Sequence, residues 1–173
     1  MNHDRYSDDY IHGILSGVKA VALVGVSTNP ARASNFVLRY LLQKNYRAYA
    51  VNPLYAGQTV AGQTILARLA DVPEPIDMVE IFRRADAVPA VVDEALALDP
   101  KPRVIWMQLG VRHDEAAAKA EAVGVNVVMN RCAKIEYGRM SGEIAWFGVN
   151  TQRISNRKPV LSKLPQALDL AGG

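Results

Sequence analysis

A single cysteine, Cys132, is all that the 173 residues contain, so no internal disulfide can form. That agrees with a reducing compartment. Long hydrophobic runs are missing too: no apolar stretch approaches the ~20 residues that cross a bilayer. The first ten residues, MNHDRYSDDY, lack both the basic start and the apolar core of a secretory signal. The expected location is therefore the cytosol, with no membrane partner. Histidine is scarce at three residues, and no Cys, His, Asp or Glu spacing suits a metal ion. An excess of one charge is also absent from most of the chain. Residues 1–150 carry 16 Lys/Arg against 16 Asp/Glu, and the net +3 comes from Arg153, Arg157, Lys158 and Lys163 against Asp169 alone. A neutral body argues against a broad nucleic-acid face, and four scattered cations in a tail fit a solvated segment better than a binding patch.

What remains is half hydrophobic, enough for one domain with a full core. Five short continuous apolar runs recur: AVALVGVS, AYAVNP, MVEIFR, VIWMQL and NVVMNR. They lack the in-out alternation of a half-exposed antiparallel sheet and suit buried parallel strands. Helical patterns lie around them. SDDYIHGILSGVK reads as a short amphipathic helix with Ser7 as its cap and Gly17 as its stop. Val37, Leu38, Leu41 and Leu42 share one face, as do Val88, Val91, Val92, Ala95 and Leu96. In DEAAAKAEAVG, Asp114 can cap and Gly124 can terminate a further helix. Strand and helix alternating five times specify a doubly wound, Rossmann-like α/β fold, a parallel sheet of about five strands between two helical layers. Residues 1–140 are expected to form this domain, and 141–173 a C-terminal extension. Trp146, Phe147 and Val149 make residues 142–150 too apolar for a free tail, so they are expected to dock on their own domain or on a second copy in a homodimer. The chain beyond about Asn156 is expected to be mobile.

Ligands of such sheets bind outside the carboxyl ends of the strands, where the strand order reverses. The first of these ends, VALVGVSTNPARAS, has Gly25 for a tight turn, then Ser27, Thr28 and Asn29, with Arg32 near a helix start. Hydroxyls, backbone amides and one arginine suit a pyrophosphate, although a lone glycine equally suits a plain turn. The second strand ends in Val51, Asn52 and Pro53, where a dinucleotide site would carry a carboxylate for the adenosine ribose. That counts against an NAD(P)-dependent oxidoreductase, as does the missing GxGxxG. An interaction module with a vestigial nucleotide pocket is the other alternative.

Taken together, VALVGVSTNPAR, YRAYAVNP, VAGQT, LADVPEPIDMVEIFRRADAVP, VIWMQLGV and NVVMNRC resemble the coenzyme A-binding domain family related to the N-terminal domain of succinyl-CoA synthetase α subunits, in particular its small stand-alone bacterial members. The resemblance runs from about Ile11 to Met140. It implies that coenzyme A lays its ADP moiety over Gly25 to Arg32, with Val51 to Pro53 beside the adenine. Phe82, Arg83 and Arg84 would follow the third strand, and the pantetheine would cross Gln108, Gly110 and Val111. Arginines at strand ends match a ligand with a pyrophosphate and a ribose phosphate. In the synthetases a second domain carries the histidine that is phosphorylated, and this sequence ends short of any such domain. His113 lies near the implied pocket, but nothing pairs it with a nucleophile, and a role as a cap or a polar loop residue is the better expectation. No catalytic residue is expected. The expected function is binding of CoA or acyl-CoA without chemistry, as a sensor, carrier or partner subunit. Cys132 follows the last strand and is a candidate contact for the CoA thiol, with Arg131 and Lys134 beside it to favour the thiolate.

Overall fold

The computed structural model describes residues 1–142, so the expected docking segment around Trp146 and Phe147 and the tail beyond it lie outside the described residues. The chain divides into two compact units: Val18–Arg131, and a second built from Met1–Gly17 and the segment from Cys132 onward.

The first unit holds the sheet. Its parallel strands are β1 (Ala20–Val24), β2 (Arg47–Val51), β5 (Met78–Ile81), β6 (Val104–Met107) and β7 (Asn126–Val128), in the spatial order β2-β1-β5-β6-β7. Every residue of β1, β5 and β6 is buried, as a central parallel strand covered on both faces requires. β2 and β7 form the edges, and each exposes its first residue more than the rest. Helices α2 (Ala33–Gln43), α3 (Val88–Leu96) and α4 (Asp114–Glu121) supply the outer layers. Val88, Val91, Val92 and Ala95 of α3 join Ala116, Ala117 and Ala120 of α4 in one core with Val24, Ile81 and Met107. α2 buries Val37, Leu38 and Leu41 and packs along β2. The five strands and three helices thus match the apolar runs and periodicities in the sequence.

Two expectations are corrected. No α-helix fills the connection from β2 to β5. The chain there makes a 3-10 turn over Pro53–Tyr55, a two-stranded hairpin of β3 (Thr59–Val60) and β4 (Gln63–Thr64), and a second 3-10 turn over Leu69–Asp71. Prolines at 53, 73 and 75 and glycines at 57 and 62 deny this stretch a helical run. Asp114 does not cap α4 either. His113 does, its Nδ1 accepting from the Ala116 N–H at 3.2 Å, while Asp114 starts the helix and pairs with Arg112. Gly124 closes the other end of α4 as expected, at φ +82°.

In the second unit, α1 (Asp8–Gly17) packs on α5 (Ala133–Ser141), and Arg139 bridges Asp8 at 3.0 Å. Ser7 caps α1 as expected, accepting from the Tyr10 N–H at 3.2 Å.

Candidate functional site

Strand register brings the carboxyl ends together. Val24 lies opposite both Val51 and Ile81, and Ile81 opposite Met107. The ladder then runs one residue further on each strand: Gly25 donates to Val51 O at 2.8 Å, Phe82 to Val24 O at 2.9 Å, and Gln108 to Ile81 O at 3.1 Å. Gly25, Asn52, Phe82 and Gln108 therefore leave one edge of the sheet, with β1 and β5 flanking the reversal of strand order.

Gly25 has φ +92°, and a Cβ there would stand 2.9 Å from Arg83 Cδ and 3.3 Å from the Phe82 carbonyl carbon. Only glycine fits both the turn and the arginine stem laid across it. Beyond it the loop is pinned by its own side chains. Ser34 Oγ accepts from Ser27 N at 3.1 Å, Ser27 Oγ from Asn29 N at 3.1 Å, and Asn29 Oδ1 from Ala31 N at 2.9 Å. Buried Asn35 donates to Ser27 O at 3.1 Å and accepts from Arg39 Nε at 2.8 Å. α2 then starts at Ala33 with Arg32 as N-cap, contributing no side-chain cap. Its first-turn amides face the loop with the positive end of the helix dipole behind them.

The other predicted residues divide by what their side chains already do. Asn52 is buried and spent: its Nδ2 donates to Val26 O at 2.9 Å and its Oδ1 accepts from Leu54 N at 3.1 Å. Gln108 is spent likewise, donating to Glu80 Oε1 at 3.0 Å and accepting from Leu109 N at 2.8 Å. Val51 is buried, Pro53 opens the 3-10 turn on the surface, and Val111 packs on the core. Gly110 turns the chain at φ +81°. The three arginines differ. Arg84 is 88% exposed and reaches Asp86 at 3.3 Å. Arg32 and half-buried Arg83 have no side-chain partner among the described residues. Cys132, the half-buried N-cap of α5, belongs to the second unit. Sequence reasoning missed Ser34 and Asn35, whose polar side chains on the buried face of an otherwise apolar helix were the available signal.

A groove of about 310 Å³ lies elsewhere, among Leu69, Val72, Ile76 and Leu98 before β5 and β6. Its ionisable lining groups, Glu74 and Asp99, are acidic, so it does not suit a phosphate.

Strand order, layers and a glycine turn at the reversal point define a doubly wound, Rossmann-like α/β domain whose carboxyl edge carries two guanidinium groups uncommitted among the described residues. Comparison with known proteins is more specific. The family model of the CoA binding domain matches residues 19–138, and the chain belongs to that family. It is 32% identical over 127 residues to the uncharacterized protein YneT of Bacillus subtilis, covering 73% of this chain and 91% of that protein. Over 157 residues it is 26% identical to an ADP-forming acetate–CoA ligase of Archaeoglobus fulgidus, covering 86% of this chain but only 22% of the ligase. A solved structure from Thermus thermophilus, cell-free ID.343, superposes with a TM-score of 0.73 at 34% identity, covering 78% of this chain and 98% of that one.

Proposed function

We propose that the chain binds coenzyme A or an acyl-CoA at the carboxyl edge of the sheet and performs no acyl transfer itself. The supporting observation is the Gly25 turn: a family member's strand-to-helix loop with no room for a Cβ, Arg83 laid over it with no side-chain partner among the described residues, and the start of α2 ahead with no side-chain cap. A pyrophosphate fits there against backbone amides, with Ser27, Thr28 and Asn29 shaping the loop and Arg32 and Arg83 supplying charge. The adenine lies beside Val51 to Pro53, Phe82 lines the site just past β5, and the pantetheine crosses Gln108 to Val111. Arg83 is the better candidate than Arg84 for a phosphate, because Arg84 already faces Asp86. The setting is the cytosol. The role is that of a sensor, carrier or partner subunit.

The test is a thermal-shift panel of CoA, acetyl-CoA, dephospho-CoA, NAD and NADP. A ligand at 100 times its Kd adds about 2.7 kcal/mol to stability, a shift of several degrees. CoA is expected to shift the melting point. A shift with NAD and none with CoA refutes the reading.

A further inference from the structure

Three backbone amides follow Gln108, and all three are taken. Leu109 N–H donates to Gln108 Oε1 at 2.8 Å, Gly110 N–H to Asn130 Oδ1 at 2.7 Å, and Val111 N–H to Gln108 O at 2.8 Å. Asn130 comes from the next strand end, two residues past β7, and its φ of +53° places it in the left-handed region that asparagine tolerates better than most residues. That conformation lets one residue hold both halves of the turn, because its own N–H donates to Val111 O at 3.0 Å. Arg131 Nη1 in turn donates to Asn130 O at 2.8 Å.

The carbonyls of Leu109 and Gly110, by contrast, accept from no described residue. The turn therefore shows a ligand acceptors and the exposed Leu109 side chain, and withholds its donors. Such a surface suits a chain that carries amide N–H groups. The backbone of the turn cannot itself polarise a thioester carbonyl, which needs donors aimed at its oxygen.

We propose that Asn130 is a positioning residue for the amide-bearing arm of CoA, holding the Leu109–Val111 turn as an acceptor-only surface. The inference rests on the CoA reading above and goes beyond it in assigning a residue to one part of the ligand. Titration calorimetry with CoA, acetyl-CoA and adenosine 3′,5′-bisphosphate, which lacks the arm, separates the two. Asn130→Gly keeps the left-handed backbone and its N–H but removes Oδ1. It is expected to weaken CoA and acetyl-CoA roughly five-fold and leave the bisphosphate unchanged. Asn130→Asp, which keeps an acceptor, is expected to restore most of the loss. Equal CoA affinity in Asn130→Gly and the unmodified protein overturns the proposal, and so does an equal loss for the bisphosphate. An unmodified protein that binds neither CoA nor the bisphosphate overturns the CoA reading, and this assignment with it.

Discussion

The two edges of the main sheet treat charge in opposite ways. Around the amino ends, charged groups answer one another or the backbone. Asp77 accepts from Lys19 N at 2.8 Å and Ala20 N at 2.9 Å, and Glu74 takes Arg47 Nε at 2.7 Å together with the Tyr49 hydroxyl. The Arg47 contact, then the Tyr49 bond, holds the Glu74 carboxyl below its ordinary value, while the same carboxylate pushes the Tyr49 hydroxyl up. At the carboxyl ends, polar side chains such as Asn52, Gln108 and Asn130 shape loops, Arg84 and Arg112 pair with Asp86 and Asp114, and the cations Arg32 and Arg83 stay unanswered among the described residues. One edge completes itself; the other is left with positive charge and open acceptors. Substitutions at the first should therefore alter stability and spare ligand binding, whereas those at the second should do the reverse unless they deform the backbone.

Gly25→Val breaks this division most severely, because it strikes loop and ligand together. Left-handed backbone at a β-branched residue costs about 1–3 kcal/mol, and the new side chain collides with Arg83. A lowered melting temperature and more than about a hundred-fold loss of CoA affinity are expected. A variant that binds CoA normally would remove the glycine turn from the site. Arg83→Ala comes next and should show the clean form of the contrast. Losing one charge-assisted contact costs roughly 1.5–3 kcal/mol of CoA binding at nearly constant melting temperature. Arg84→Ala should change affinity less than about two-fold, since exposed ion pairs contribute little. If Arg83 holds the 3′-phosphate, the gap between CoA and dephospho-CoA closes in Arg83→Ala and persists in Arg84→Ala.

Glu74→Gln probes the self-completed edge. The folded protein keeps Glu74 ionised below its ordinary value of 4.5, so its contribution is whole above that pH and is lost as pH falls through the depressed value. The raised Tyr49 hydroxyl acts in the other direction: its contribution is whole below pH 10 and fades as pH climbs past the folded value. Acid and alkaline unfolding curves of Glu74→Gln should both flatten, with CoA affinity at neutral pH unchanged; an altered affinity would mean that the edges are coupled. The smallest effect belongs to Cys132. With CoA disulfide, its thiolate would attack one sulfur, form a mixed disulfide and release one CoA thiol. Intact mass should show a single reducible adduct, absent in Cys132→Ser and suppressed by excess acetyl-CoA. An adduct that survives the competitor puts the thiol outside the ligand's reach.

The five strands were legible because a parallel strand covered on both faces must be apolar throughout, and MVEIFR still stands out although buried Glu80 sits inside it. Amphipathic periodicity likewise exposed α2, α3 and α4. It could not reveal the second crossover, where short turns bury single residues such as Leu69 with no period to detect. α5 also went unread, since Gly138 and few large apolar residues blur any face. The His113–Asp114 ambiguity is chemical: either residue can cap a helix, and a one-residue offset decides which reaches Ala116. Amide side chains posed the same problem at the site. Asn52 and Gln108 carry the right atoms for a ligand, yet the same atoms serve loop backbones, and only geometry shows which claim prevails. Asn130 gave no sign in the sequence because nothing there marks its positive φ.

The irregular crossover has one more effect, on how molecules of this protein meet in a crowded solution. An outermost strand offers unsatisfied backbone groups to any passing extended chain, the usual seed of edge-to-edge aggregation. Here Leu66 returns to the outside of β2, donating to Ala50 O at 2.8 Å and accepting from Asn52 N at 2.9 Å, with Val51 as its bridge partner. The half of that border nearest the binding loops is thus already occupied by the protein's own chain. The remaining half begins at Arg47, an exposed charge that repels an apolar newcomer, so a stretch lacking regular structure shields the molecule against its own kind.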